Sequence, residues 1–159
     1  MYEIVAEVRD TARAPRAQVF ERILAADTRR LFTGHGPVAA VTALDQQTGP
    51  WDTAGRTRRV TMSDGSAHVE ELLYVDPPRA FGFELRDAGG PLGWLTYGAH
   101  GHWRFDEAGP EATKVHWRYV FRARRSVPYP LGWLLLRVLW VSYMRAALRR
   151  ALALASAPR

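Results

Sequence analysis

The sequence predicts an α+β fold: a seven-stranded antiparallel sheet covered by one long C-terminal helix, with two short helices after the first strand. Three observations carry this. From Leu131 a mostly apolar stripe of Leu131, Leu134, Leu135, Val138, Leu139, Ser142, Met144 or Arg145, Leu148 and Leu152 recurs at helical spacing. Tyr2 to Arg9 alternates instead, with Tyr2, Ile4, Ala6 and Val8 on one face, which is the period of a half-buried strand. After Trp51, short Gly/Pro turns separate one apolar run from the next, so consecutive strands pair antiparallel and leave one face to be covered.

In order, Ala14-Pro15 introduces a helix over Arg16 to Leu24 with Val19, Phe20, Ile23 and Leu24 as its apolar stripe. Asp27 or Thr28 caps a second short helix through Leu31-Phe32, which Gly34-His35-Gly36-Pro37 must break. Val38 to Leu44 reads as the second strand. Ser63-Asp64-Gly65-Ser66 carries the Asp-Gly pair of a two-residue hairpin turn, and Asp76-Pro77-Pro78 and Ala88-Gly89-Gly90-Pro91 end the next two strands. Leu92 to Asp106 and Thr113 to Arg124 form the last hairpin around Ala108-Gly109-Pro110. Pro128 and Pro130 open the long helix, which runs to Leu154; about 25 residues give it a length of about 37 Å, enough to cross a whole sheet. No linker or repeat divides the chain, so 1–159 reads as one domain.

Centring the first hairpin on Asp64-Gly65 sets Arg58 opposite Glu71 on the more apolar, inward face, and Arg59 opposite Glu70 outside. The second hairpin places Trp103, Gly101, Ala99 and Tyr97 opposite Val115, Trp117, Tyr119 and Phe121, large residues against small, with Phe83 continuing the wall. That arrangement leaves space for a guest between sheet and helix, although the same aromatics also suit a filled core. An inward Arg58–Glu71 pair is either structural or holds the polar end of a ligand. If catalysis occurs, it is acid/base work by Arg58, Glu71, Tyr97 or Tyr119.

The net charge of +6 and pI near 10.3 come almost wholly from arginine, since Lys114 is the only lysine. With no basic tail or helix-turn-helix spacing, a solvated basic surface accounts for this better than nucleic-acid binding. With no cysteine, thiolate chemistry and Cys-based metal sites are excluded and a cytosolic location is the default. His100, His102 and His116 share a face, but Arg104, Lys114, Arg118 and Arg122 share it too and repel a divalent ion, so no metal is expected. No Gly-x-Ser-x-Gly turn or phosphate-cradling glycine loop is present, and no cofactor is expected. Leu131 to Met144 is apolar nearly all round, with Trp133 and Trp140 away from the main stripe. Either a homodimer through this helix or docking on a membrane surface beside Arg145, Arg149 and Arg150 would cover it.

Trp51-Asp52-Thr53-Ala54-Gly55-Arg56, Ser63-Asp64-Gly65, Glu70-Glu71, Asp76-Pro77-Pro78, Phe81-Gly82-Phe83 and Thr113-Lys114-Val115-His116-Trp117, in this order of elements, resemble the SRPBCC superfamily. This is the START-like, birch-pollen-allergen-like group that includes polyketide cyclases/dehydrases and lipid-transfer proteins. The resemblance spans about residues 2 to 155 and implies a helix-grip fold with a deep hydrophobic cavity between sheet and helix. It implies a lipid, a polyketide or another apolar or amphipathic small molecule as partner, and cyclisation or dehydration in a minority of members. No aromatase/cyclase motif aligns residue by residue, so no catalytic residue is carried over. The expected ligand contacts are Arg58 and Glu71 at the polar end, and Phe83, Tyr97, Trp117, Tyr119 and Phe121 along the body. Leu135 and Leu139 reach it from the helix.

Overall fold

A computed structural model describes residues 1–158. Its strands are β1 (Tyr2–Ala12), β2 (Val41–Asp45), β3 (Thr57–Met62), β4 (Ala67–Asp76), β5 (Ala80–Arg86), β6 (Thr96–Gly109) and β7 (Ala112–Ala123). They form one antiparallel sheet in the order β1-β7-β6-β5-β4-β3-β2. Since β1 and β2 are the two edges, the chain between them must cross the open face, and it does so as α1 (Arg16–Leu24) and α2 (Thr28–Leu31). Asp27 caps α2, its carboxylate accepting from the Arg29 N–H.

The long helix closes the same face in three pieces: α4 (Tyr129–Gly132), a π-helical segment (Trp133–Leu139) and α5 (Trp140–Ala155). In α5 the buried face is Tyr143, Met144, Ala147, Leu148, Ala151, Leu152 and Ala155, where alanines let the helix approach β1 and α1 closely. Gln18 Nε2 and Arg22 Nη1 donate to the Ala155 carbonyl at 3.0 and 3.1 Å, satisfying a carbonyl that the helix end leaves open.

The first half differs. Leu131, Leu134 and Val138, expected inward, are exposed, and the buried positions are Gly132 and Leu136, followed by half-buried Trp140. These lie four apart, on one face of the helix. Gly132 is needed there, because a Cβ would stand 2.4 Å from the Tyr2 hydroxyl oxygen. Trp140, expected off the main stripe, instead packs inward with ring centroids 5.5 Å from Tyr119, 5.3 Å from Phe121 and 5.1 Å from Tyr143.

Both hairpin registers differ from those expected, with different consequences. The last hairpin pairs Trp103 with Trp117, Gly101 with Tyr119 and Ala99 with Phe121. That is a slip of two residues, which keeps Trp103, Trp117, Tyr119 and Phe121 on their expected face. The β3–β4 hairpin slips by one, pairing Arg58 with Glu70 and Thr57 with Glu71. Its turn is a three-residue loop with Gly65 at φ +84°, in which Met62 N–H donates to the Ser66 carbonyl. A one-residue slip turns β4 over, so His68, Glu70 and Leu72 face inward and Glu71 faces out. A further short helix, α3 (Gly90–Leu95), stands where the sixth strand was expected to begin. Gly93 permits its tight return, since a Cβ there would meet the Ala88 carbonyl oxygen at 1.9 Å.

Candidate functional site

The inner face of β5, β6 and β7 is lined by aromatics, as alternation predicts, but it is filled. Trp103 and Trp117 stack with centroids 4.3 Å apart, and Phe81 and Phe105 pack on Phe20 of α1. The space expected above Gly101 is occupied by the Phe83 ring, whose nearest atom would lie 2.3 Å from an added Cβ. Between this wall and α1–α2 remains a cavity of about 40 Å³, room for a water but not for an apolar guest.

An open and mostly apolar volume lies at the other end of the sheet. A chamber of about 300 Å³ is bounded on one side by Leu135, Leu136, Leu139 and Trp140 and on the other by Met62, Ala67, Leu92 and Leu95. Its walls are predominantly apolar, and its volume is at the lower end of small-molecule sites. It exists because the π segment and α3 do not meet across the β3–β4 turn. A small void of about 20 Å³, lined by Met62, His68 and Trp140 as well as Phe32, Glu70 and Tyr119, connects the linings of the chamber and the inner cavity.

Along that axis stand the buried charges. Arg58 donates from Nε to Glu70 Oε2 at 2.8 Å and holds Nη2 2.7 Å from the same oxygen. His68 Nε2 lies 3.7 Å from Glu70 Oε1, farther than a hydrogen bond. The Arg58 guanidinium also lies 4.0 Å over the Trp51 ring, a cation–π contact on the face that Glu70 leaves free. Burial raises the Glu70 carboxyl, but Arg58 and then His68 outweigh it and hold it down to about 2. Burial and the Glu70 charge push the Tyr119 phenol well up, so it remains a neutral donor.

Three buried polar atoms on these voids have no hydrogen-bond partner among the described residues: Trp140 Nε1, Trp117 Nε1 and Thr28 Oγ1. An unpaired buried donor is costly, and a bound acceptor would relieve it.

Of the expected contacts, Arg58 lines the inner cavity together with Phe83, Trp117 and Tyr119, while Leu135 and Leu139 line the chamber. Phe121 is fully buried behind Trp140 and lines neither. Glu71 is on the outer face, paired with Arg86. Tyr97 is exposed, because the register shift between Thr96 and Ala99 turns it outward at Gly98, whose φ of +139° brings the Leu85 carbonyl within 2.5 Å of where a Cβ would sit. His68, Glu70, Trp51 and Trp140 were not singled out for the site. The consecutive acids Glu70-Glu71 made either register plausible, and only the length of the turn decides between them. The three outer histidines take separate partners: Glu7 for His116, Glu84 for His100 and Tyr74 for His102.

A sheet gripping a terminal helix, with an apolar chamber between them, defines the helix-grip class, and solved structures agree. Norcoclaurine synthase from Thalictrum flavum matches with a TM-score of 0.72 at 13% identity, covering 99% of this chain and 96% of that one. The major latex-like protein 151 from Panax ginseng matches at 0.69 and 14%, covering 99% and 100%. The Zhui aromatase/cyclase from Streptomyces sp. R1128 matches at 0.66 and 16%, covering 97% and 94%. At such identities the likeness establishes the fold. The family model described as polyketide cyclase / dehydrase and lipid transport matches residues 3–155, and the chain belongs to that family, within the SRPBCC superfamily. No curated protein matches it in sequence.

Proposed function

We propose that this protein binds an amphipathic small molecule, such as a lipid or polyketide, with its apolar body in the chamber beneath Leu135 and Leu139 and its polar end toward His68, Glu70 and Arg58. The observation that carries this reading is the continuity of an apolar lining with a buried, fixed ion set through His68 and Trp140, whose indole N–H lacks a partner. An apolar guest gains by leaving water, and a carbonyl or hydroxyl on it satisfies the orphaned donor. Native mass spectrometry of the freshly purified protein tests this, with displacement of an apolar fluorescent probe as the second measurement. Retention of a small molecule in wild type and its loss in Leu139→Trp is the expected result; an empty protein that binds no probe ends the reading.

A second reading, a cyclase or dehydratase in the same chamber, draws on His68. Its imidazole lines the chamber with Nε2 3.7 Å from the Glu70 carboxylate, and an imidazole beside a carboxylate is a common general acid/base arrangement. Loss of turnover of a poly-ketone substrate in His68→Gln with probe binding intact supports the enzyme; unchanged turnover removes His68 from it.

A further inference from the structure

We infer that the rim of the chamber docks on an anionic phospholipid bilayer. Among the described residues ten large apolar side chains are exposed, and seven of them lie on the two segments flanking the mouth: Trp94 and Tyr97 on one side, and Tyr129, Leu131, Trp133, Leu134 and Val138 on the other. Trp94 is 73% exposed and Leu134 50%, and the two segments border one chamber through Leu92 and Leu95 on one side and Leu135 and Leu139 on the other. Arg124, five residues before Tyr129, holds the first segment in place: its backbone N–H donates to the Leu95 carbonyl, its Nε to the Gly93 carbonyl, and its guanidinium lies 4.2 Å over Tyr97. The composition, Trp and Tyr around aliphatics, is that of side chains that settle at a membrane interface.

Charge selects the occupant. After Glu111 the chain carries ten Lys and Arg and no Asp or Glu, so the entire helix and the strand leading to it are cationic. Arg124, Arg125 and Arg137 lie within or beside the patch, Arg137 with its guanidinium 5.7 Å from the Trp133 ring. The one carboxylate on the chamber lining, Asp64, is held by the Ser66 hydroxyl and N–H. A symmetric contact between two copies would bring these arginines against their own counterparts, whereas anionic headgroups neutralise them. By length and composition the helix Tyr129–Ser156 could cross a bilayer, but its second half is packed in the core. The exposed half therefore lies on the surface with the chamber mouth against it. The docking needs no ligand; transfer of a guest directly between bilayer and chamber rests on the binding reading above.

The test is sedimentation of the full chain with vesicles of phosphatidylcholine alone or mixed with phosphatidylglycerol. At low salt, at least about tenfold more protein should pellet with the mixed vesicles, and the difference should shrink at high salt. The double variant Trp94→Asp/Leu134→Asp should stay in the supernatant with its melting temperature unchanged. Brominated lipid should quench the wild-type tryptophan emission. No preference for the anionic vesicles overturns the proposal, as does a double variant that still pellets, or a wild type that sediments as a dimer that the double variant dissociates. Probe binding in the chamber, measured without vesicles, reports separately on the ligand.

Discussion

The two halves of the C-terminal helix are both rich in apolar residues and have opposite fates. Over α5, small and branched residues alternate so that Ala147, Leu148, Ala151 and Leu152 all disappear against β1 and α1. Over the π segment only Leu136 is buried, and the residues on either side of it border the chamber or face out. Apolar character alone therefore does not say whether a surface stabilises the fold or serves a partner. The opposing surface decides: α5 faces a complete sheet and α1, whereas the π segment faces the gap between the β3–β4 turn and α3.

The largest effect should fall where the halves meet. Glu70→Ala leaves the Arg58 guanidinium buried without its carboxylate and should cost about 3–5 kcal/mol in urea unfolding. Leu148→Ala, in the packed half, should cost about 2–5 kcal/mol by the same measurement, because neighbours held by α1 and β1 cannot close the hole. The pH dependence adds a signed test. The Glu70 carboxyl drops from 4.5 to about 2 on folding, so its contribution is complete above pH 4.5 and is lost as pH falls toward 2. Acid unfolding of wild type should steepen across that window, and Glu70→Gln should remove the extra slope.

In the open half the effects should move from stability to binding. Leu139→Trp fills the chamber and should weaken an apolar probe by at least about tenfold while changing unfolding free energy by less than about 1 kcal/mol. Leu134→Ala, on the outer surface, should alter stability by no more than about 0.5 kcal/mol. A Leu134→Ala cost comparable with that of Leu148→Ala would erase the distinction between the halves.

Much of the fold was legible because its signals are local. Alternation in Tyr2 to Arg9, the helical stripe Val19-Phe20-Ile23 and the prolines at Pro128 and Pro130 each act within a few residues and survive any later packing. The last hairpin shows how a wrong register can still give the right wall, since a slip of two residues leaves Trp117 and Tyr119 inward. The site was less legible. Reading Asp64-Gly65 as a two-residue turn displaced β4 by one, which exchanged Glu70 for Glu71 and sent His68 outward.

By itself the sequence determined which segments are strands and helices, and that a long apolar helix covers an antiparallel sheet, because these depend on periodicity and turn chemistry close along the chain. Only the tertiary structure decided where space remains. Whether Phe83 fills the hollow over Gly101, and whether the π segment stands away from α3, depends on distances between parts of the chain that no local pattern encodes. A cavity is what packing leaves over, so it becomes readable only once every neighbour is in place.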